Sequence, residues 1–462
     1  MSKLLRLVLG LSIIIALFAF AFFKLSKESL EPTKLPKNPS NLANFSDTDL
    51  AGNSRIPSKK SRIPSEFYTS FGLSYLNLAR KSVGLVPFKE NSILSKAAKN
   101  HTLYLSNLGT ISHDESKENK YFTGANPSER AIFAGLSSGF VSENISAKHA
   151  SFNDSIDGLL SAIYHRFNFL NYSFDEIGYY DDGDIYTYEM SNSALLRLCE
   201  RGESVGRQYV LGVCANPKMP LSPTSFNRAT KPSKPDFLMF PNESFASVAV
   251  FGDEDPDPLP QCEITSAPVS LEFNPNLEIF LRSFKIFKDG KELENTLLLS
   301  RDNDLRFTSN QFALFSLSPF DFGASYEVLA TYTQGGENKS LSWSFATKEP
   351  QIPYFIVNDG DIIELEDGKE YEVFFAPKHC NDSFSKYSYT LPFGSSLQLK
   401  DTAINMLKMR ASGVNGDVIN FKSATHNIKI VIKSEKNLDF KVIFALILAI
   451  VLFIFIVKRA KI

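Results

Sequence analysis

Apolar residues recur at helical spacing in the first half of the chain and alternate with polar residues in the second half. Intervals of three and four residues predict helices over residues 71–79, 94–105 and 156–170. Residues 176–190 then alternate, and the acidic turn at 181–184 predicts a β-hairpin. Helices followed by strands indicate an α+β domain, which we place at residues 66–215.

Past residue 260 the helical pattern is replaced by short alternating runs. Leu341, Trp343 and Phe345 share one face of such a run, with serines on the other face. Similar runs recur about every ten residues with turn residues between them, as in an all-β sandwich. We predict an Ig-like β-sandwich over residues 261–349 and a second β domain over residues 350–433.

Uncharged apolar runs lie near both ends of the chain. Residues 7–23 follow a basic start and fit either a cleaved signal peptide or a retained signal anchor over residues 1–24. Residues 442–457 lie between basic residues and predict a transmembrane helix over residues 440–458, with the basic tail in the cytoplasm. Either alternative tethers the protein to the cell membrane and places its main body outside the cytoplasm, in the periplasm or at the cell surface.

Two segments between the predicted domains are rich in residues that disfavour regular structure. Residues 25–65 contain many Pro, Ser, Asn and Lys residues, which predicts a linker. Residues 216–260 contain repeated prolines, which remove backbone donors and predict an extended crossing or a boundary.

Composition and charge exclude two classes of protein. Of the 462 residues, 43% are hydrophobic, so the chain can bury real cores and is not disordered throughout. The formal net charge of −2 argues against an electrostatic grip on nucleic acid. With nucleic acid excluded, the expected partners are the membrane, which the terminal apolar runs would contact, and an unknown extracytoplasmic ligand or protein.

The four cysteines favour disulfides in an exported chain. We prefer a bond between Cys199 and Cys214, which flank a strand-like segment, and Cys262 and Cys380 then pair with each other or stay free. Four cysteines allow three connectivities, so this pairing is a preference.

Four of the six histidines fall in the α+β region: His101, His113, His149 and His165. Their separations match no short metal-binding motif. The sequence also lacks a glycine-rich phosphate loop, an HExxH motif and a GxSxG elbow. Spacing alone therefore assigns these histidines no shared site.

A series of short motifs follows a recognisable order between residues 68 and 215. They are YLNLAR at 75–80, GLVP at 84–87, SH at 112–113, PSER at 127–130, ENI at 143–145, HR at 165–166 and FDEIG at 174–178. Their order resembles the CAP family of cysteine-rich secretory proteins, antigen 5 and pathogenesis-related 1, whose bacterial branch is called SCP-like. The resemblance implies a three-layer α-β-α sandwich with an open cleft, which agrees with the α+β pattern.

In that family the cleft typically gathers two histidines and two acidic residues, and some members bind a divalent metal there. The resemblance places His113, Glu143 and His165 at three of these four positions. Two imidazoles and a carboxylate form a sensible Zn²⁺ ligand set with room for water. The cofactor that this set predicts is therefore a divalent metal such as Zn²⁺.

The fourth, acidic position of the family is missing from the corresponding helix. The family's pattern there falls on Leu159 and Ala162. Asp157, about two turns before the histidine on the same predicted helix, is our substitute, and Glu176 is a second candidate.

The resemblance and the domain pattern together predict a binding protein more than an enzyme. The CAP domain would bind a ligand, partner or envelope component through its cleft and would be displayed on a stalk of β domains. The first alternative is a metal-assisted hydrolase, with Glu143 or a metal-bound water as base and His113 or His165 as its partner. The second alternative is a degenerate CAP spacer in an envelope scaffold.

Overall fold

The computed structural model describes residues 30–39 and 65–435, except 233, 253 and 385, and describes residues 65–71 by their backbone alone. The predicted membrane segments at 7–23 and 442–457, and most of the predicted linker, lie outside the described residues. In the described part of the chain, no helix combines the length and the apolar composition that crossing a membrane requires.

The described residues divide into two compact units. The first contains residues 65–349 and 379–381, and the second contains residues 30–39, 350–378 and 382–435. Helices and a mixed sheet come first in the first unit, and strands alone make up the regular structure after residue 240. This confirms the predicted order of an α+β region followed by all-β units.

The α+β region surrounds one four-stranded sheet with helices. Its helices are α1 (Ser65–Ser82), α2 (Ser92–Leu108), α3 (Pro127–Ala134), α4 (Phe152–Ser161), α5 (Ile163–Phe169), α6 (Ser193–Arg201) and α7 (Pro223–Thr230). Its strands are β1 (Lys89–Glu90), β2 (Val141–Ala147), β3 (Glu176–Asp181) and β4 (Ile185–Ser191). The sheet order is β1-β3-β4-β2, in which β1 and β3 are parallel and the other pairs are antiparallel.

Local sequence signals explain where the helices begin and how α2 meets the sheet. The Asn91 side chain accepts hydrogen bonds from the backbone at the start of α2, and Gly109 ends that helix in the left-handed conformation with φ of 75°. A Cβ atom at Gly178 would lie 2.0 Å from the backbone nitrogen of Ser95. Glycine at this position therefore lets α2 pack closely against β3.

Two sequence predictions for this region were wrong in detail. The predicted helix over 156–170 is two helices, because the backbone is extended at Ala162, with φ of −85° and ψ of 116°. The predicted crossing over 216–260 contains helix α7 and a strand. Pro223 is compatible with α7 because it lies in the first turn, where the helix needs no backbone donor. The Ser222 side chain caps the N-terminus of this helix.

The β region of the first unit consists of two four-stranded sheets around a common core. Its strands are β5 (Phe237–Phe240), β6 (Val269–Phe273), β7 (Ile279–Lys288), β8 (Lys291–Glu292), β9 (Thr296–Ser300), β10 (Gln311–Ser316), β11 (Ser325–Gln334) and β12 (Glu337–Ala346). The sheet orders are β5-β6-β10-β9 and β12-β11-β7-β8. Trp343 and Phe345 lie in the shared core, as their alternation predicts.

The second unit also has two four-stranded sheets, in the orders β13-β15-β18-β17 and β14-β20-β19-β16. Its strands are β13 (Tyr354–Val357), β14 (Ile362–Glu366), β15 (Glu370–Phe375), β16 (Tyr387–Thr390), β17 (Ser396–Ala403), β18 (Met406–Ser412), β19 (Val418–Ser423) and β20 (Asn427–Lys433). One hydrophobic core contains residues from both sheets.

Two disulfides are present in the first unit, the preferred one and the one that the sequence left open. Cys199 and Cys214 are bonded, with Cα atoms 5.3 Å apart, and Cys262 is bonded to Cys380 across 118 residues of sequence. The preferred pairing is confirmed, and the described residues include no free cysteine.

Candidate functional site

The centre of the candidate site is a hydrogen-bonded pair, His113 and Glu143. His113 lies in the loop after α2, and Glu143 lies on β2, so the fold joins residues that are 30 positions apart. The distance from His113 Nδ1 to Glu143 Oε1 is 2.8 Å. The histidine side chain is 47% exposed and the carboxylate is fully buried. The pair therefore presents an imidazole at the surface on a buried anionic support.

Arg130 on α3 holds this pair from the side of the interior. Its Nη2 donates to Glu143 Oε2 at 2.7 Å, and its Nη1 donates to the backbone oxygen of His113 at 2.8 Å. Arg130 is completely buried, so its charge is balanced inside the protein by that of Glu143. The arginine of the PSER motif is thus a structural clamp on both members of the pair, a role that sequence analysis did not assign.

A second histidine–carboxylate pair lies behind the first. His101 Nδ1 contacts Glu115 Oε1 at 2.8 Å, and His101 Nε2 contacts the backbone oxygen of Ser112, next to His113, at 2.9 Å. The same Nε2 lies 3.7 Å from Glu143 Oε1. Both side chains of this second pair are fully buried. They hold the loop on both sides of His113, at Ser112 and Glu115, and the spacing of the histidines did not identify this role.

His165 lies next to His113, and a distant acidic residue holds it. The two imidazole rings have centroids 6.5 Å apart and planes 30° apart. His165 Nδ1 contacts Glu254 Oε2 at 2.9 Å, while Glu254 Oε1 accepts a hydrogen bond from the backbone of Ile163 at 2.6 Å. Glu254 thus serves as the cap that Ala162 cannot provide for α5 and as the carboxylate partner of His165.

The structure places the predicted acidic substitutes elsewhere. Asp157 lies on α4 while His165 lies on α5, so the two do not share a helix face. Asp157 accepts hydrogen bonds from Tyr75, at 2.6 Å, and from Lys348. Glu176 accepts from Asn91 at 2.6 Å on β3. Asp157 shares no helix with His165 because α4 ends before Ala162, and the acid that contacts His165 is Glu254.

A further glutamate, Glu189 on β4, lies directly opposite Glu143 in the β2–β4 register. Both are buried, and neither oxygen of Glu189 has a donor partner among the described residues. Burial and the adjacent Glu143 charge raise the pKa of Glu189 well above its usual range. Burial opposes the ionisation of Glu143, but hydrogen bonding from His113 and the charges of His101 and Arg130 hold its pKa well below the usual range. Burial and repulsion thus favour the protonated form of Glu189, whereas the contacts of Glu143 favour its ionised form.

The carboxylates of Glu143 and Glu254, which contact His113 and His165, determine which hydrogen bonds the two imidazoles can form with a ligand. A carboxylate at Nδ1 places the ring proton there, which leaves Nε2 as a hydrogen-bond acceptor in the neutral ring. In the described part of the chain, Nε2 of His113 and Nε2 of His165 have no hydrogen-bond partner. We call the group formed by His113, Glu143 and His165 the imidazole site. It presents two adjacent acceptor nitrogens.

The predicted metal-ligand set does not fit an ion as it is arranged. Both oxygens of Glu143 are engaged, one by His113 and one by Arg130, so Glu143 supports a histidine and does not complete a ligand set with it. Among the residues that the structure describes, no three His, Cys, Asp or Glu side chains are grouped so as to hold a metal ion. Catalytic zinc sites commonly use three protein ligands. We therefore derive no chemistry from a metal here.

Comparison with known proteins identifies a family for part of the chain. The model of the cysteine-rich secretory protein family, CAP, matches residues 73–184. This range contains His113, Glu143 and His165, and it ends before Glu189 and Glu254. No curated protein matches the chain.

Several solved structures are similar to about a third of the chain. An outer surface protein of Borrelia burgdorferi is 22% identical over 28% of this chain and 94% of its own, with a TM-score of 0.25. An extracellular protein of Bacillus anthracis that contains an SCP domain is 20% identical over 30% of this chain and 45% of its own, with a TM-score of 0.25. A cysteine-rich secretory protein of Staphylococcus aureus is 19% identical over 30% and 44%, with a TM-score of 0.22. The chain thus spans less than half the length of the last two.

Proposed function

We propose that this chain, whose residues 73–184 match the CAP family, is an exported, membrane-tethered protein that binds an extracytoplasmic ligand at the imidazole site. The observation behind this proposal is the pair of stacked imidazoles, His113 and His165, each oriented through Nδ1 by a buried carboxylate. Such support fixes the tautomer and the ring direction before a ligand arrives, which lowers the ordering cost of binding.

The chemistry of the site selects ligands with hydrogen-bond donors. With the proton on Nδ1, Nε2 of each ring can accept from an O–H or N–H group of the ligand; the side chain of His113 is 47% exposed and that of His165 is 12% exposed. Two such rings, with centroids 6.5 Å apart, suit neighbouring donors on one polar molecule. We therefore expect a component of the cell envelope that carries hydroxyl or amide groups.

A binding role is favoured over the hydrolase alternative by the state of Glu143. A general base must accept a proton near the working pH, and its pKa should lie close to that pH. The hydrogen bonds from His113 and Arg130 hold Glu143 as a weakly basic carboxylate. In this arrangement it positions His113 and is a poor proton acceptor.

Display outside the cytoplasm is supported by the disulfides and by the terminal sequences. Two disulfides in the described chain suit an oxidising compartment. The uncharged run at 442–457 provides a membrane tether, the run at 7–23 provides export, and the β units provide distance from the bilayer. These roles apply whether the first run is cleaved or retained.

The test is binding by the detergent-solubilised full chain to arrays of glycans and short peptides. His113→Ala and His165→Ala should each abolish the binding that the unchanged protein displays. His149→Ala is the matched control, because His149 lies in the same domain beyond the end of β2 and its imidazole packs against Tyr186 instead. Binding that survives both cleft substitutions would contradict the proposal and favour the spacer, while turnover of an array ligand that these variants lose would favour the hydrolase.

A further inference from the structure

The loop between β16 and β17 carries unusually exposed apolar side chains. Phe393 at its tip is fully exposed, and Tyr389 and Leu391 are 41% and 42% exposed. Tyr389 lies near the end of β16, Leu391 just after it, and Phe393 in the turn closed by the hydrogen bond from the backbone of Ser395 to that of Pro392. In the part of the chain that the structure describes, nothing covers Phe393. Clustered apolar exposure of this kind marks a binding surface for protein or membrane.

This loop lies at the end of the second unit from which the chain continues to its C-terminus. Both β16 and β20 run antiparallel to β19, so they point the same way. The loop and the exit from β20 at Lys433 are therefore at one end of the sheet.

Hydrogen bonds to the turn before β19 confirm that placement. Ser395, just after the apolar tip, donates to Asp417. The backbone of Ser434, just after β20, donates to the side chain of Asn415 at 3.0 Å. Gly416 lies between these two and donates to the backbone of Ile432 at 2.8 Å. One short turn thus contacts both the apolar loop and the start of the C-terminal segment.

The distance from this end to the uncharged run is short. Only residues 434–441 separate β20 from Val442, where that run begins. Even fully extended, they span no more than about 28 Å, at roughly 3.5 Å a residue. If residues 442–457 cross a bilayer, this end of the second unit is held within that reach of its surface.

We propose that Tyr389, at the end of β16, and Leu391 and Phe393, in the loop that follows, form a membrane-contacting surface that inserts into the interface of the bilayer holding the C-terminal tether. Aromatic side chains favour the interfacial region of a bilayer. The inference rests on the tether of the proposed function and adds a second contact, which restrains the orientation of the second unit on the membrane. It does not depend on the imidazole site.

The charged groups at this end point to apolar insertion and not to attraction by anionic lipid. Glu366 is paired with Lys369 at 2.6 Å, and Lys433 is paired with Glu364 at 3.2 Å. Because these charges are balanced, we expect insertion into purely zwitterionic lipid.

The test uses full chain reconstituted in phosphatidylcholine vesicles with or without brominated acyl chains. Bromine quenches tryptophan that enters the hydrocarbon. The chain has one tryptophan, Trp343, which is buried in the first unit and donates to the backbone oxygen of Pro241 at 3.0 Å. The unchanged protein therefore gives the background, and Phe393→Trp reports the loop.

The matched control places the probe at the opposite end of the same sheet. Ala424 is exposed in the β19–β20 turn, and Ala424→Trp should keep its full emission in brominated vesicles. Phe393→Trp should lose emission and shift to shorter wavelength, and Tyr389→Trp, at a position within β16, should lose less. Adding anionic lipid should leave these losses unchanged.

Vesicle flotation separates failure of the inference from failure of the proposed tether. If no variant floats with vesicles, the tether is overturned, and the loop contact with it. If all variants float but Phe393→Trp keeps its emission, the loop contact alone is overturned. A shift to shorter wavelength without quenching would mean that protein covers the loop, such as a second copy of this chain, and would also overturn it.

Discussion

Replacing Glu189 with glutamine removes one buried titratable group and leaves the size and shape of the side chain almost unchanged. Glu189 and Glu143 lie opposite each other on β4 and β2, both buried, and neither oxygen of Glu189 has a donor partner among the described residues. Two carboxylates repel each other there, and a carboxylate pair can form a hydrogen bond only when one member is protonated. Glu189→Gln keeps a donor towards Glu143 and removes the titration.

The magnitude follows from proton linkage. Because the folded-state pKa of Glu189 is raised, the folded protein keeps a proton that the unfolded chain loses above its pKa of about 4.3. The folded state then binds more protons than the unfolded state, so this group's contribution to stability falls as the pH rises. The loss is about 1.4 kcal/mol per pH unit, or about 2.7 kcal/mol between pH 5 and pH 7, for as long as Glu189 stays protonated in the fold.

In the glutamine variant that pH-dependent loss is absent. The second amide hydrogen of glutamine lacks an acceptor, which costs about 1–3 kcal/mol at every pH. The absolute stability of the variant at one pH therefore decides little. The change in the stability difference between variant and unchanged protein, from pH 5 to pH 7, isolates the titration of Glu189.

Hydrogen exchange of the β2 and β4 peptides is the suitable assay, because a chain with several domains does not unfold in one step. Comparing both proteins at the same pH cancels the intrinsic exchange rate. The protection of Glu189→Gln relative to the unchanged protein should rise about 100-fold from pH 5 to pH 7. A ratio for Glu189→Gln that stays constant from pH 5 to pH 7 would refute the raised pKa of Glu189.

Other substitutions test the clamp, the packing and the disulfide. Arg130→Ala should lower the free energy of unfolding of the CAP region by about 3–5 kcal/mol in exchange experiments, because Glu143 would be left as a buried, poorly compensated charge. A loss below about 1 kcal/mol would contradict the role of Arg130 as a clamp. Gly178→Ala should lower the same free energy of unfolding by about 1–3 kcal/mol, because its Cβ would overlap the backbone of α2. Unchanged exchange protection of α2 in this variant would contradict the close packing. Replacing Cys199 and Cys214 by serine should lower the free energy of unfolding of this region by about 3 kcal/mol, because the bond closes a 15-residue loop. If α6 peptides resist urea equally with and without the bond, this stabilisation is contradicted.

Local structure was largely predictable from sequence. Apolar periodicity, Asn91 and Gly109 define α2, and the alternation of Trp343 and Phe345 predicts which side chains enter the β core. These signals are local: a residue's neighbours three, four or two positions away decide which face it shares. The order of the motifs also predicted that His113 and His165 lie together.

The tertiary structure alone decided the support of the site. Glu254 contacts His165 across 89 residues of sequence. A new helix, α5, begins after Ala162 without a side-chain cap of its own, and Glu254 also provides that cap. The pKa of Glu189 is raised because strand pairing places it opposite Glu143, in an interior that disfavours two charges. Sequence determined which residue types were available and which faces they occupy. Folding decided which of them meet, because burial and charge act through space and take no account of separation along the chain.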